Sequence, residues 1–310
     1  MPRISKGRKR GFLAALATAC GVIAVTTTLY LVSDSTASSP GEEPLPPPRT
    51  VTGEERTVLH IAEQVLLRDC MRRNGFTYQI PTEPPPTTGR FPYVIDDVNW
   101  AEEHGYGSDI KSDIARMRKE DPNQRYFHGL PPERKAVALK AANGEAPHEI
   151  TVENPDGLVL TRNDEGCQSE AERKLYGDLE TWFEAKTTVD ALESVRHERV
   201  ITDPRFTEAV RPWAECMRAA GYPYESPARL REELKPIDAA LPRDEEIRLA
   251  TAEARCARSS GLAATARDLA REHRRELRHE HRSAITSKTR IQLAALPKAR
   301  SIVAAIGIDL

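Results

Sequence analysis

The sequence is poor in aromatic residues and has no surplus of positive charge. Phe, Trp and Tyr make up 5% of its 310 residues, and the formal net charge is −2. So few aromatic side chains argue against a stacking platform for bases or sugars. Five basic residues lie within residues 1–10, so the rest of the chain is net acidic. This argues against nucleic-acid binding, which needs a local surplus of Lys and Arg.

The sequence also lacks the common catalytic motifs. It contains no G-x-S-x-G elbow, H-E-x-x-H, P-loop or G-x-G-x-x-G. Residues 108–111 match S-x-x-K without the elements that support it in acyl-enzymes. His279 and His281 would point about 200° apart on a helix, so they are not expected to share a metal ion. His273 with Glu276, or Glu276 with Glu280, remains an alternative metal pair. We expect no catalytic residue, cofactor or metal, and an enzyme would need residues assembled by folding.

An uncharged apolar run begins the chain. Residues 11–32 are long enough to span a bilayer as a helix. The basic residues before them and the acidic residues after them place residues 1–10 in the cytoplasm and the body outside it. A signal anchor is the favoured interpretation. A signal peptide cleaved after Ala37 and a lipoprotein acylated at Cys20 are the alternatives. Cys20 lacks the usual Leu three positions before it, which counts against the third.

Beyond the apolar run, the sequence predicts a mainly α fold. Residues 33–53 form a Pro-rich linker. Apolar spacing predicts helices over residues 54–74, 108–120, 131–143, 164–197, 203–220, 243–259 and 262–296. Short strands at residues 148–152 and 158–162 flank a turn and predict one β-hairpin. We expect two helical lobes, at residues 54–200 and 201–310.

A short motif occurs twice in the chain. The sequences that begin at Cys70 and Cys216 share Cys-Met-Arg, a Gly, an aromatic residue, a Tyr and a Pro at matching positions. A Gly in the left-handed conformation commonly ends a helix, and the next residue then packs against the C3 side chain. The predicted structural caps are Met71, Gly75 and Phe76 in the first copy and Met217, Gly221 and Tyr222 in the second. A soft-metal site is the alternative, disfavoured because no His is nearby.

Four cysteines lie beyond the apolar run, an even number that predicts two disulfides in an oxidising compartment. Three pairings are open. If each motif opens its own lobe, the pairs are Cys70–Cys167 and Cys216–Cys256. A four-cysteine zinc site is disfavoured because no C-x-x-C pair is present. Gly261 follows Cys256 at the same spacing as in the motif, which predicts a helix break there.

These motifs, together with residues 123–126 (NQRY), 130–134 (LPPER) and 166–177 (GCQSEAERKLYG), resemble a group of actinobacterial secreted or membrane-anchored proteins. The resemblance covers roughly residues 55–260. It implies an envelope location and paired cysteines, and it implies no activity. The missing Leu before Cys20 departs from the lipoproteins in that group.

The charged helix predicted over residues 262–296 is a candidate partner surface. Its apolar positions, such as Leu269 and Ile285, are too sparse for a full core face, and ion pairs such as Asp268–Arg271 and Glu272–Arg275 are expected along it. We expect a non-enzymatic extracytoplasmic binding or accessory protein of the cell envelope, held at the cytoplasmic membrane through residues 11–32. A secreted hydrolase of cell-wall or peptide substrates and an exporter accessory protein are the alternatives.

Overall fold

A computed structural model describes residues 48–81, 91–145, 149–234 and 241–307. The predicted membrane segment at residues 11–32, most of the predicted linker, Cys20 and Ala37 lie outside these residues. Within the described part of the chain, no helix is both long enough and apolar enough to cross a bilayer. The described residues belong to one compact unit.

The described residues form twelve α-helices and one two-stranded sheet, which confirms the predicted mainly α class with one hairpin. The helices are α1 (Gly53–Arg73), α2 (Val98–His104), α3 (Ser108–Glu120), α4 (Pro122–Gly129), α5 (Pro132–Asn143), α6 (Gly166–Tyr176), α7 (Leu179–Thr202), α8 (Pro204–Ala219), α9 (Pro227–Glu233), α10 (Arg243–Ser259), α11 (Leu262–Glu280) and α12 (Arg282–Ala304). The strands are β1 (Glu149–Glu153) and β2 (Val159–Asn163), paired antiparallel with Glu149 opposite Asn163.

Local capping explains where several helices begin. At α1, the Thr52 hydroxyl accepts from the Glu55 N–H and the Glu55 carboxylate accepts from the Thr52 N–H, a reciprocal capping box. Asp203 caps α8 through the Arg205 N–H, and Pro204 occupies the first helical position. Such caps use residues close in sequence, so the sequence alone indicates them.

Two predicted helices are wrong because each one is divided. The helix predicted over residues 164–197 is α6 followed by α7. Gly177 ends α6 with φ +89°, and the Asp178 carboxylate caps α7 by accepting from the Thr181 N–H at 2.8 Å. The helix predicted over residues 262–296 is α11 followed by α12, divided at His281. Neither Gly nor Pro marks that second break.

Hydrophobic packing joins parts of the chain that are distant in sequence. One cluster combines Leu59 and Val65 of α1 with Leu296 and Val303 of α12. Another packs Trp213, Met217, Leu249 and Leu269 of α8, α10 and α11 against Tyr93 and Val94. Both clusters therefore combine residues from the two predicted lobes, 54–200 and 201–310, and the described residues do not divide at that boundary.

The apolar positions of residues 262–296 are largely used inside the chain. Leu269 and Leu277 are each 2% exposed, and Leu296 is 3% exposed. The premise that this stretch lacks a core face is therefore wrong. Its exposed residues are predominantly charged, and they include the arginines of α11.

Candidate functional site

The structure pairs Cys70 with Cys167 and Cys216 with Cys256, as predicted. The first bridge joins the last turn of α1 to the first turn of α6, and the second joins α8 to α10. Because all four sulfurs are bonded in disulfides, they provide no thiolate for zinc.

The first repeated motif ends α1. Gly75 has φ +78°, the Phe76 N–H donates to the Met71 carbonyl at 3.0 Å, and the Gly75 N–H donates to the Arg72 carbonyl at 3.0 Å. These are the two hydrogen bonds of a Schellman end. Phe76 and Met71 are both buried in the cluster that contains Cys70.

The second copy ends α8 in the same way. Gly221 has φ +89°, the Tyr222 N–H donates to the Met217 carbonyl at 2.8 Å, and the Gly221 N–H donates to the Arg218 carbonyl at 3.1 Å. Met217 is fully buried, whereas Tyr222 is half-buried at the edge of the same cluster. Both motifs therefore stabilise helix ends next to disulfides. Cys70 and Asn74 of the first copy also line a cleft of about 510 Å³, together with Glu170 and Arg173 of α6.

A cleft lined by arginines is the strongest candidate for a ligand site. It has a volume of about 780 Å³ and lies between the segment at residues 91–97, α7, the end of α10 and one face of α11. Its described lining contains Arg196, Arg258, Arg267, Arg271 and Arg274, the carboxylates Asp96, Asp97 and Glu193, and the apolar residues Phe91, Pro92, Tyr93, Val94, Ala263, Ala266 and Ala270. We call it the arginine cleft.

Helical spacing on α11 explains one wall. Arg267, Arg271 and Arg274 are four and three residues apart, so their side chains lie along one helix face. Ala266 and Ala270 on the same helix have small side chains that leave room beside them. This stripe is visible in the sequence, where the spacing of the charges also predicts ion pairs along the helix.

The opposite wall, residues 91–97, is held by groups far away in sequence. The guanidinium of Arg231 in α9 donates to the carbonyls of Phe91 at 3.0 Å, Pro92 at 3.1 Å and Tyr93 at 2.8 Å. The fully buried carboxylate of Glu253 in α10 accepts from the Ile95 N–H at 3.1 Å. These bonds fix the backbone that carries the aromatic side of the arginine cleft.

Glu253 also binds Tyr106, whose hydroxyl donates to it at 2.6 Å. Burial raises the pKa of the Glu253 carboxyl, while Arg231 and the two hydrogen bonds counteract that shift. Fully buried carboxylates are rare unless they have such partners. Glu253 is therefore a structural anchor for the wall.

The arginines of the cleft divide into paired and unpaired groups. Arg267 pairs with Asp96, Arg271 with Asp268 and Arg196 with Glu193. Within the described part of the chain, neither Arg258 nor Arg274 has a carboxylate partner. Of the two ion pairs predicted on α11, Asp268–Arg271 is confirmed. Glu272–Arg275 is wrong, because Glu272 binds Arg205 of α8 at 2.9 Å.

Two buried donors in the lining have no acceptor. The Tyr93 hydroxyl and the Arg196 Nε–H have no hydrogen-bond partner among the described residues. Tyr93 is 8% exposed, and its ring stacks on His197 with centroids 5.3 Å apart. Burial, reinforced by Arg231, lowers the pKa of His197. A buried donor without an acceptor costs about 1–3 kcal/mol. Both atoms are buried, so they do not face the open volume of the cleft.

The arginine cleft has the chemistry for binding an anion. Its described lining has no Ser, Cys or Lys that could act as a nucleophile. Two of its carboxylates, Asp96 and Glu193, are held in ion pairs with arginines. Arginine is well suited to carboxylate and phosphate groups because its planar guanidinium can donate two parallel hydrogen bonds.

A second cluster of ionisable groups is enclosed elsewhere. The Tyr176 hydroxyl donates to Glu63 of α1 at 3.1 Å, and Arg162 of β2 pairs with Glu172 of α6. Burial, followed by repulsion from Glu172, raises the pKa of Glu63 to about 7. None of these residues lines the arginine cleft. They connect α1, α6 and the hairpin.

One histidine of α11, His273, lies close to two carboxylates. His273 contacts Glu276 at 2.8 Å and Asp203 at 3.5 Å. In the residues that the structure describes, no group of three or more His, Cys, Asp or Glu side chains is arranged to hold a metal ion.

No known protein family, curated protein or solved structure matches this chain.

Proposed function

We propose that this chain is a non-enzymatic binding or accessory protein of the cell envelope, and that the arginine cleft binds an anionic ligand. The observation that carries the proposal is the excess of donors in the cleft. Arg258 and Arg274 are exposed and have no carboxylate partner in the described residues. A ligand with anionic oxygens would supply the counter-charge that these two guanidinium groups lack.

Two features support an extracytoplasmic location. Stable structural disulfides form mainly in oxidising compartments, and this chain has two. The uncharged run at residues 11–32 has the length and the flanking charges of a membrane anchor. In this proposal residues 11–32 hold the helical body at the outer face of the cytoplasmic membrane.

Residues 262–296 also have a place in the proposal. Four of their five leucines are buried and Leu293 is partly buried, so a protein partner would contact the exposed charged side of α11 instead. Arg275 and Arg278 are exposed on this helix. Crosslinking from these positions in membranes would identify the contact, and an exporter subunit as the crosslinked partner would favour the accessory role.

The binding proposal is tested with the full chain in a non-ionic detergent. Isothermal titration with carboxylates, sulfates and phosphates should find at least one class that binds and that weakens as salt increases. Arg258→Gln combined with Arg274→Gln should weaken that binding at least tenfold. Arg275→Gln removes one charge from the same helix outside the cleft lining and should leave binding nearly unchanged. If no anion binds, or if the double variant binds as the wild type does, the proposal is overturned.

The non-enzymatic part has its own test. The same chain is incubated with peptide, ester and muropeptide substrates, and the products are analysed by mass spectrometry. We expect no turnover. Reproducible turnover abolished by substitution of one acidic or His residue would establish the hydrolase alternative.

A further inference from the structure

The charges of α11 are separated onto two sides of the helix. Arginines recur at intervals of four, three and four residues from Arg267 to Arg278, so they form one row along the helix. Glutamates recur every four residues from Glu272 to Glu280, and their row lies about 170° around the helix from the arginine row. α11 is therefore positive on one side and negative on the other.

The negative side of α11 faces the rest of the chain. Glu272 binds Arg205 of α8 at 2.9 Å, and Glu280 binds Arg199 of α7 at 2.7 Å. Glu276 lies 3.9 Å from the same arginine of α7. These carboxylates are paired within the chain, and among the described residues none of them forms an ion pair with the arginine row.

The outward side of α11 ends in a group of arginines without counter-charges. At the N-terminal end of the row, Arg267 pairs with Asp96 and Arg271 pairs with Asp268. Beyond these pairs are four exposed arginines that have no carboxylate partner in the described part of the chain: Arg274, Arg275, Arg278 and Arg282. They extend over about 12 Å of helix, and the first of them also lines the arginine cleft. We call these four residues the arginine face.

The arginine face differs in charge from the rest of the protein. It carries four positive charges, whereas residues 11–310 together are net acidic. The carboxylates on the inner side of α11 lie a helix diameter of about 10–12 Å away, which exceeds the screening length of about 8 Å at physiological ionic strength. A negatively charged surface would therefore attract this face and repel the net acidic remainder.

The composition of the arginine face fits a lipid surface better than a protein interface. Specific protein interfaces have an apolar core with aromatic or aliphatic anchors. Five large apolar side chains are exposed in the described residues, and none of them is on α11 or α12: Met117, Val137, Leu139, Leu158 and Val159. Guanidinium groups pair with phosphate oxygens, and attraction to anionic lipids needs no apolar core.

The tether has the length to bring the arginine face to a membrane. The start of α1 lies beside the end of α12, where Arg300 pairs with Glu55 at 3.3 Å. Arg282 is 18 residues before Arg300 on α12, which is about 27 Å along the helix axis. The 20 residues from 33 to 52 can extend to at most about 70 Å. A body held through residues 11–32 can therefore turn until α11 lies on the bilayer.

We infer that the arginine face binds the anionic phospholipid headgroups of the membrane that holds the chain, and that this contact orients the body with α11 on the bilayer. Such a contact needs little affinity of its own, because the tether keeps the local concentration high. This inference rests on the proposed membrane location and adds the surface that meets the lipid.

Nanodiscs of two lipid compositions test the inference with the full chain. One set contains only phosphatidylcholine, and in the other set one third of the lipid is phosphatidylglycerol. Phenylglyoxal modifies accessible guanidinium groups, and peptide mass spectrometry measures its rate at each arginine. The four arginines of the face should react at least threefold more slowly in the anionic discs, and high salt should abolish the difference. Arg248, which is exposed on α10 and has no ion pair in the described residues, should react equally in both discs.

The outcomes separate the inference from the proposed location. A chain that co-elutes with neither disc would overturn the membrane location and the inference with it. If the chain co-elutes with both discs but the four arginines react equally in them, the inference is overturned and the location stands. Protection of Arg118 in place of these arginines would also overturn the inference, because the exposed basic group of α3 and α4 would then meet the lipid.

A double variant locates the contact on α11. Arg275→Gln combined with Arg278→Gln removes two exposed charges and no described ion pair, so the fold should be unchanged. The protection of the other two arginines of the face should fall at least twofold. Arg211→Gln combined with Arg248→Gln removes two exposed charges from α8 and α10 and should leave that protection unchanged. Full protection in the first double variant would contradict the inference.

Crosslinking in native membranes distinguishes lipid from protein. A photo-crosslinking residue in place of Arg278 should give lipid adducts. Protein adducts without lipid adducts would overturn the inference and favour a protein partner at the charged side of α11.

Discussion

The two disulfide-linked regions share one motif that ends a helix, and they differ in how their buried charged groups are paired. In each region a Cys-Met-x-x-x-Gly-aromatic sequence ends a helix by a Schellman motif, and the Cys is crosslinked to a later helix. Around Cys70–Cys167, the structure encloses Glu63 near another carboxylate. Around Cys216–Cys256, it encloses Glu253 with full hydrogen bonding and leaves arginines unpaired at a cleft. The repeated sequence thus determines helix ends, while the surroundings determine the chemistry.

Removal of the crosslinks should have the largest effect and should separate the two regions. Replacement of Cys70 and Cys167 by Ala should lower the free energy of unfolding by about 4.7 kcal/mol, and replacement of Cys216 and Cys256 by about 3.9 kcal/mol. The first loss is larger because that bridge spans 97 residues and the second spans 40. Urea unfolding followed by circular dichroism measures both. A larger loss for the second pair would contradict this explanation from loop length.

Substitution of the aromatic residues that follow Gly75 and Gly221 should give the next largest loss of stability, and the two losses should differ. Phe76 is 3% exposed and the Arg134 guanidinium lies over its ring at 4.5 Å, so Phe76→Ala should destabilise by about 3–4 kcal/mol. Tyr222 is only half-buried, so Tyr222→Ala should cost about 1–2 kcal/mol. The same urea experiment compares them. Equal losses would mean that Phe76 and Tyr222 contribute equally to stability despite their different burial.

The buried carboxyl of Glu63 should give the first region a pH dependence of its own. Its pKa is about 7 in the folded chain against an ordinary value of 4.5, so between these pH values the folded state binds more protons. Stability therefore falls as pH rises through this window, by about 3 kcal/mol in total. Glu63→Gln should remove that fall and be the more stable protein at pH 8.

A matched control for Glu63 is available on the same helix. Glu54→Gln changes an exposed carboxylate in the first turn of α1 and should leave the pH profile of stability nearly as in the wild type. Unfolding curves at pH 5, 6, 7 and 8 provide the comparison. A Glu63→Gln profile parallel to that of the wild type would show that Glu63 is not the titrating group.

Replacement of Gly75 or Gly221 by Ala should give the smallest losses of stability, and the two losses should be equal. Gly75 and Gly221 have similar positive φ, and an added methyl group would meet only an arginine side chain at 3.8 Å at Gly75 and nothing within 4 Å at Gly221. Each Gly→Ala change should therefore cost about 1–2 kcal/mol from backbone strain alone. Gly129→Ala, where φ is not positive and nothing lies within 4 Å, should cost nothing. A much larger loss of stability at only one of the two glycines would show that the two motif copies do not end their helices in the same way.

The sequence predicted the features that depend on neighbouring residues or on the repeat. The α1 helix and the hairpin follow from apolar spacing and turn residues, and the disulfide pairing followed from the assumption that each motif copy belongs to one lobe. The division of residues 164–197 was missed although Gly177 and Asp178 together are a helix stop and a helix cap.

The arginine cleft could not be predicted in the same way. Its walls come from residues 91–97, from Arg196, from Arg258 and from α11, and only the tertiary fold brings them together. The bonds that hold the aromatic wall, from Arg231 and Glu253, join residues about 140 and 158 positions apart. No local pattern distinguishes these two side chains from the many exposed charges. Three arginines at helical spacing on α11 were the one visible signal.

The crosslink at the end of α1 has a mechanical consequence. A pull on the chain from its N-terminal side would reach α1 first, where sliding past α12 is resisted by packed side chains and further unravelling meets the covalent link between Cys70 and Cys167. Once the stretch before Cys70 has unravelled, the force passes through the disulfide to Cys167. Residues 71–166, which include residues 91–97, are therefore bypassed as long as the link is intact.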